Sequence, residues 1–179
     1  MKINSKVAKT TITALFAALT FVVTFIVRIP IPFASGGYLN IGDSVIYIAA
    51  GILGGPLGAL SAGIGSALSD LLAGYTLYAP ATFIIKALMG LAAGFIAKNG
   101  KYQTFVIASI VGGAIMVAGY FTFEIFFIYG LNLKLALTAA GFNAIQWAGG
   151  VIVAAALYPA IKLALQKAYP ASNQIKQSA

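Results

Sequence analysis

Six long apolar runs, at about residues 10–29, 43–54, 57–73, 80–97, 105–128 and 135–165, leave this chain few ways to fold. In hydrocarbon the backbone polar groups must be satisfied within the segment, so an isolated apolar run of about 20 residues is stable as a helix. Across the 179 residues 61% are hydrophobic and 8% charged, with a mean hydropathy of +0.98, too few polar groups to clothe a water-soluble domain. The expected fold class is an all-α integral membrane protein, one bundle of six transmembrane helices built from residues 1–179. A basic head with Lys2, Lys6 and Lys9 before the first run also fits a signal peptide, but that run is nearer a full span and five more follow it.

Charge placement sets the topology. Six spans put both termini on one side, and with that side cytoplasmic, Lys2, Lys6, Lys9, Lys98, Lys101, Lys162, Lys167 and Lys176 all lie inside. Arg28 and Lys134 then lie outside and Lys86 within the membrane. The net charge of +8 is spread singly over the ends of apolar runs, which suits anchoring to an anionic leaflet and gives no reason to expect nucleic acid.

The breaks between runs carry their own information. Pro30 and Pro32 bar continuation of the first helix, and RIPIPFASGGYLNIG forms a long loop suited to a lid or a connector. Asp43 opens the second helix, where capping of unpaired N–H groups is the expectation for it. A hairpin through Gly54-Gly55-Pro56 leads to a thin third helix, with Gly58, Ala59, Ala62, Gly63, Ser66 and Ala67, expected in the middle of the bundle. Pro80 opens the fourth helix, and Lys86 lies about 9 Å down it at 1.5 Å per residue. Thr10, Ala14 and Ala18 share one flat face of the first helix, and the polar tail QKAYPASNQIKQSA is expected to fray.

The same topology brings every acid, Asp43, Asp70 and Glu124, to the outer half, together with Lys86, Asn143 and Gln146. Ionisable groups within apolar spans are expensive and mark ligand or ion sites by default. The candidate substrate-binding residues are Asn40, Asp70, Tyr75, Tyr78, Lys86, Glu124, Asn143, Gln146 and Trp147. Structural alternatives stand beside them. Asp70 and Lys86 can neutralise each other, Asn143 and Gln146 can bridge helices, and Trp147, Tyr75 and Tyr78 can belong to an interfacial aromatic belt.

Several chemistries are excluded. The chain has no Cys and no His, which removes thiolate chemistry, the commonest metal ligand and the usual general base. No GxxxxGK[ST] motif is present, so ATP hydrolysis is not this chain's own. Asn40 precedes Ile41-Gly42-Asp43, so the glycine completing a GxGD aspartyl-protease motif is missing. The expectation is no enzyme, no metal and no cofactor. A solute-binding membrane subunit, a stand-alone secondary carrier or channel, and a structural membrane protein remain; no internal repeat of broken helices supports the carrier.

The basic head, Ala14-Leu-Phe-Ala-Ala18, the segment YLNIGDSVIYIAAGILGGPLGALSAGIGSALSDLL and the run GYTLYAPATFIIKALMGLAAGFI together resemble the substrate-specific S component of an energy-coupling factor (ECF) vitamin importer. The similarity covers nearly the whole chain. It implies a multi-pass protein of a prokaryotic plasma membrane with an outward-facing vitamin pocket, lidded by the loop after helix one. It also implies partners, a transmembrane EcfT-like coupling protein and two cytoplasmic EcfA-like ATPase subunits, with Ala14 and Ala18 on the docking face. Among substrates, hydroxymethylpyrimidine or pyridoxine fit the resemblance best, with riboflavin, folate and pantothenate as alternatives.

Overall fold

The structure, a computed structural model, describes residues 6–30 and 38–168. The basic head at residues 1–5, the central part of the expected lid at 31–37 and the tail at 169–179 lie outside the described residues. Helix α1 (Lys6–Ile26) is followed by two short strands, β1 (Arg28–Pro30) and β2 (Tyr38–Asn40), and then by α2 (Gly42–Leu53), α3 (Gly55–Leu72) and α4 (Ala79–Ile96). A 3₁₀ turn at Ala97–Asn99 leads to α5 (Tyr102–Phe123), whose end widens into a π-helical turn at Glu124–Ile128, and α6 (Leu133–Ala168) closes the chain. The six expected helices are all present.

The strands were not expected. The first helix ends at Ile26 rather than near Ile29, and β1 pairs antiparallel with β2 in the register Arg28↔Asn40, Ile29↔Leu39 and Pro30↔Tyr38. Pro30 supplies the reason, since the residue before a proline is driven out of the helical region into an extended one.

By length and composition, four helical segments can each cross a membrane: Lys6–Ile26, Ala79–Asn99, Tyr102–Ile128 and Leu133–Ala168. Helix α2, with 12 residues, reaches only about 18 Å at 1.5 Å per residue, short of a hydrocarbon core of about 30 Å. It turns into α3 through Gly54, whose φ of 84° lies in the left-handed region that favours glycine, and Pro56 sits in the first turn of α3.

Burial is arranged inside out relative to a soluble bundle. On α3, Gly58, Ser61, Ala62, Gly65 and Ser66 face inward while Leu60, Ile64, Leu68, Leu71 and Leu72 are exposed. Small inward residues let helices touch: a Cβ on Gly90 of α4 would stand 2.7 Å from the Gly58 carbonyl oxygen, and one on Gly65 would stand 2.4 Å from that of Ala17. The thin helix is therefore an outer one with a leucine-rich outer face, and the centre belongs to α2. Every α2 residue from Gly42 to Ala50 is buried, and α2 packs on α1, α3, α4, α5 and α6. The expectation that α3 takes the middle is corrected. Small residues mark close approach between helices, and close approach happens as readily at the periphery as at the centre.

One buried ion pair ties this centre to its neighbours. Asp43 of α2 is 1% exposed and accepts hydrogen bonds from the Lys86 ammonium of α4 and from Nε2 of Gln146 of α6, the latter at 2.8 Å. Asp43 is thus no simple helix cap, and Lys86 pairs with it rather than with Asp70. Removing one partner of a buried pair leaves a charge uncompensated. Lys86→Met is expected to destabilise the protein by about 3–5 kcal/mol, and Asp43→Asn in the same background to recover part of that loss. Thermal unfolding of the detergent-solubilised variants measures both, and equal melting temperatures for wild type and Lys86→Met would contradict the assignment.

Candidate functional site

Beside the ion pair lies a cavity, with about 40 Å³ open to the centre of a water-sized sphere, to which α1, β2, α3, α4, α5 and α6 all contribute side chains. Thr24 comes from α1, Tyr38 and Asn40 from β2, Ser66 and Asp70 from α3, Tyr78, Thr82 and Lys86 from the start of α4, Tyr120 and Glu124 from the end of α5, and Ala139, Asn143 and Gln146 from α6.

Local sequence explains how each group arrives. Asn40 stands two residues before α2, and its Oδ1 accepts from the Gly42 N–H at 2.9 Å, an arrangement favoured for asparagine at a turn. Its own N–H donates to Gln146 Oε1 at 2.9 Å and its Nδ2 to the same oxygen at 3.2 Å, so β2 is fastened to α6. Gln146 thereby bridges the two, accepting from Asn40 and donating to Asp43. Asp70, near the C-terminal end of α3, accepts a hydrogen bond from the Tyr38 hydroxyl. Burial and the neighbouring Asp70 carboxylate push the Tyr38 phenol far above its ordinary value, which keeps it protonated and able to donate.

Glu124 begins the π-helical turn, in which the Tyr129 N–H donates to the Glu124 carbonyl five residues back at 2.8 Å. Single π turns inside helices frequently occur at functional sites, because the extra residue per turn re-aims the side chains around it. Here the turn keeps Glu124 inward, 4% exposed, while Phe126 and Phe127 face outward. On the same wall, Thr82 and Tyr120 share a hydrogen bond of 2.9 Å, and the Lys86 ammonium lies 5.4 Å from the centre of the Tyr120 ring.

The lining groups fall into two sets. In the first, Lys86, Gln146 and Asn40 are joined through Asp43 behind the lining, Asp70 is bonded to Tyr38, and Thr82 to Tyr120. In the second, Glu124 Oε2, the Tyr78 hydroxyl, Asn143 Nδ2, Ser66 Oγ and Thr24 Oγ1 are buried and make no hydrogen bond of normal geometry among the described residues. Buried polar atoms are almost always satisfied, so five such atoms around one cavity make it the candidate ligand site.

Of the residues expected at the site, Asn40, Asp70, Tyr78, Lys86, Glu124, Asn143 and Gln146 line the cavity, while Tyr75 and Trp147 do not. Tyr75 packs against Tyr38 with the rings tilted, centroids 4.9 Å apart, and borders a separate cleft with Arg28 and Ala73. Trp147 packs its ring edge against α5, where a Cβ on Gly113 would fall 1.7 Å from Trp147 Cδ1. Sequence reasoning passed over Thr24, Tyr38, Ser66, Thr82, Tyr120 and Ala139. Thr24 had a readable signal, since it follows Ile12, Phe16 and Thr20 at a spacing of four on the buried face of α1. No metal-binding cluster of His, Cys, Asp and Glu occurs among the described residues.

Comparison with known proteins agrees with this architecture. Residues 4–163 match the family model described as the S component of an ECF-type riboflavin transporter. The chain is 32% identical over 161 residues to the thiamine precursor transporter HmpT of Lactococcus lactis subsp. cremoris (strain MG1363), covering 89% of this chain and 90% of HmpT. It is also 42% identical over 100 residues to an uncharacterized protein of Pyrococcus woesei, a match covering 55% of this chain and 66% of that one. Among solved structures, the S component of a bacterial ECF transporter superposes with a TM-score of 0.75 at 24% identity over 90% of this chain and 99% of that one. An S component for biotin gives a TM-score of 0.58 at 18% identity over 90% and 95%. The chain belongs to the S-component family of ECF-type transporters.

Proposed function

We propose that this chain captures a small thiamine precursor of the hydroxymethylpyrimidine type from outside the cell and passes it inward, driven by ATP hydrolysed on partner subunits. The observation that carries the reading is the similarity to a thiamine precursor transporter along nine-tenths of both chains, joined to a cavity ringed by unpartnered buried polar atoms. An amino-substituted pyrimidine offers N–H donors and ring-nitrogen acceptors, the complements of Glu124 Oε2 and Asn143 Nδ2. Riboflavin is the second reading, favoured by the description of the matching family model.

In this proposal the chain sits in the plasma membrane with both termini cytoplasmic and the cavity toward the outside. Supporting it, Lys98 and Lys162 border a cleft at the end of the bundle where α2 and α4 finish, whereas Asp43 lies at the start of α2. Lysines on one side and carboxylates on the other follow the positive-inside rule. A coupling protein and two ATPase subunits complete the transporter. Ala14 and Ala18 are exposed on the face of α1 opposite Ile12, Phe16, Thr20 and Thr24, which leaves a shallow strip for a partner helix. No ATPase motif occurs in the chain, so the energy comes from those partners.

The most direct test is mass spectrometry of small molecules that co-purify with the detergent-solubilised protein. Hydroxymethylpyrimidine is the expected ligand, and riboflavin in its place would favour the second reading. Glu124→Ala or Asn143→Ala is expected to weaken binding by about 10–100-fold in calorimetry, from loss of one buried hydrogen bond of about 1–3 kcal/mol, with assembly unchanged. Ala14→Trp or Ala18→Trp is expected to do the reverse, blocking co-purification with the coupling protein while leaving ligand affinity intact. Normal complex formation by both tryptophan variants would place the docking face elsewhere.

A further inference from the structure

The cavity's charges are unevenly answered. Its one lining ammonium, Lys86, is already hydrogen-bonded to Asp43 and packed against Tyr120. Two further carboxyl groups line the same space, Asp70 and Glu124, 3% and 4% exposed. Asp70 is answered by a neutral donor, the Tyr38 hydroxyl, and Glu124 has only another neutral hydroxyl, that of Tyr78, beside it, with no bond of normal geometry to Oε2. The lone ion pair among the described residues is Asp43 with Lys86.

Proteins stabilise buried phosphates with unengaged Arg or Lys groups or with clusters of backbone N–H, and a phosphate ester entering this space would lose its hydration and find no unengaged cation among the lining residues. It would also sit beside two carboxyl groups, which repel it whenever they are ionised, and placing like charges together discriminates against the wrong partner. An uncharged heterocycle meets the opposite situation. Its N–H or O–H donors find Glu124 Oε2, and a ring acceptor finds Asn143 Nδ2.

We propose that this cavity selects the dephosphorylated form of its substrate, with Glu124 and Asp70 as the residues that reject phosphate esters. The inference rests on the reading of the cavity as the substrate site but not on which vitamin occupies it. It also implies a place in metabolism: a phosphorylating step must act on the imported molecule after entry if the cell uses it as an ester.

The test is calorimetry on the full detergent-solubilised chain with three pairs: hydroxymethylpyrimidine, pyridoxine and riboflavin, each against its monophosphate. In whichever pair binds, the ester is expected to bind about 100-fold more weakly or worse, as for a buried charge without a partner. Glu124→Gln, which keeps the side chain's shape, is expected to narrow that gap by about tenfold, although the wild-type comparison stands without it. Equal affinity for both members of a binding pair overturns the charge rule and leaves the proposed function in place. Binding of riboflavin alone, with its phosphate rejected, supports the charge rule and overturns the hydroxymethylpyrimidine assignment. Failure of all six compounds to bind overturns the proposed function, and the charge rule is then overturned by equal binding of pantothenate and its phosphate ester.

Discussion

The bond between Asp43 and Lys86 organises the cavity end of the bundle. Two opposite charges, 1% and 3% exposed, are stable there only because each is hydrogen-bonded and the second Asp43 oxygen is held by Gln146. Through this one carboxylate, α2, α4 and α6 are fixed at a common depth. Gln146 then reaches Asn40 and fastens the strand that enters α2. The pair is thus a scaffold beside the cavity, while Glu124 Oε2 and Asn143 Nδ2 of the lining make no hydrogen bond of normal geometry among the described residues.

That scaffold sits in a protein that leaves many large apolar residues exposed and brings its helices together through small residues, around a core that includes Ile46, Tyr47, Met89 and Phe105. In lipid there is no hydrophobic gain from hiding leucine, so packing follows backbone proximity and polar satisfaction. Gly58 against Gly90 and Gly65 against Ala17 bring α3 close to α4 and α1, and the saved space goes to a fully enclosed α2. The π turn at Glu124 serves the same economy: one extra residue in the turn keeps a carboxylate inward while its aromatic neighbours face out.

Much of the site was legible because an ionisable or amide side chain in an apolar span has few places to go. Asp70, Lys86, Glu124, Asn143 and Gln146 were identifiable that way, Tyr78 as a ring beside a polar cluster and Asn40 in the loop before the second helix, and all seven border the cavity. What was misread were partners. Asp43 looked like a cap because it opens a helix, yet its carboxylate bonds across the bundle to Lys86 and Gln146. Tyr75 and Trp147 looked like cavity rings because aromatic residues cluster near polar ones. The side on which each ring emerges depends on helix rotation, and rotation is settled by contacts such as Trp147 against Gly113.

By itself the sequence determined that the chain is a bundle of six helices with a polar cluster at one end, because apolar run length and the cost of unpaired polar groups act locally along the chain. Only the tertiary structure decided which helix is central, that Arg28–Pro30 pairs with Tyr38–Asn40, which acid takes the lysine, and which polar atoms remain without partners. Those outcomes depend on distances between residues as far apart as Asp43 and Gln146, set jointly by every close contact in the bundle, and no stretch of sequence encodes them alone.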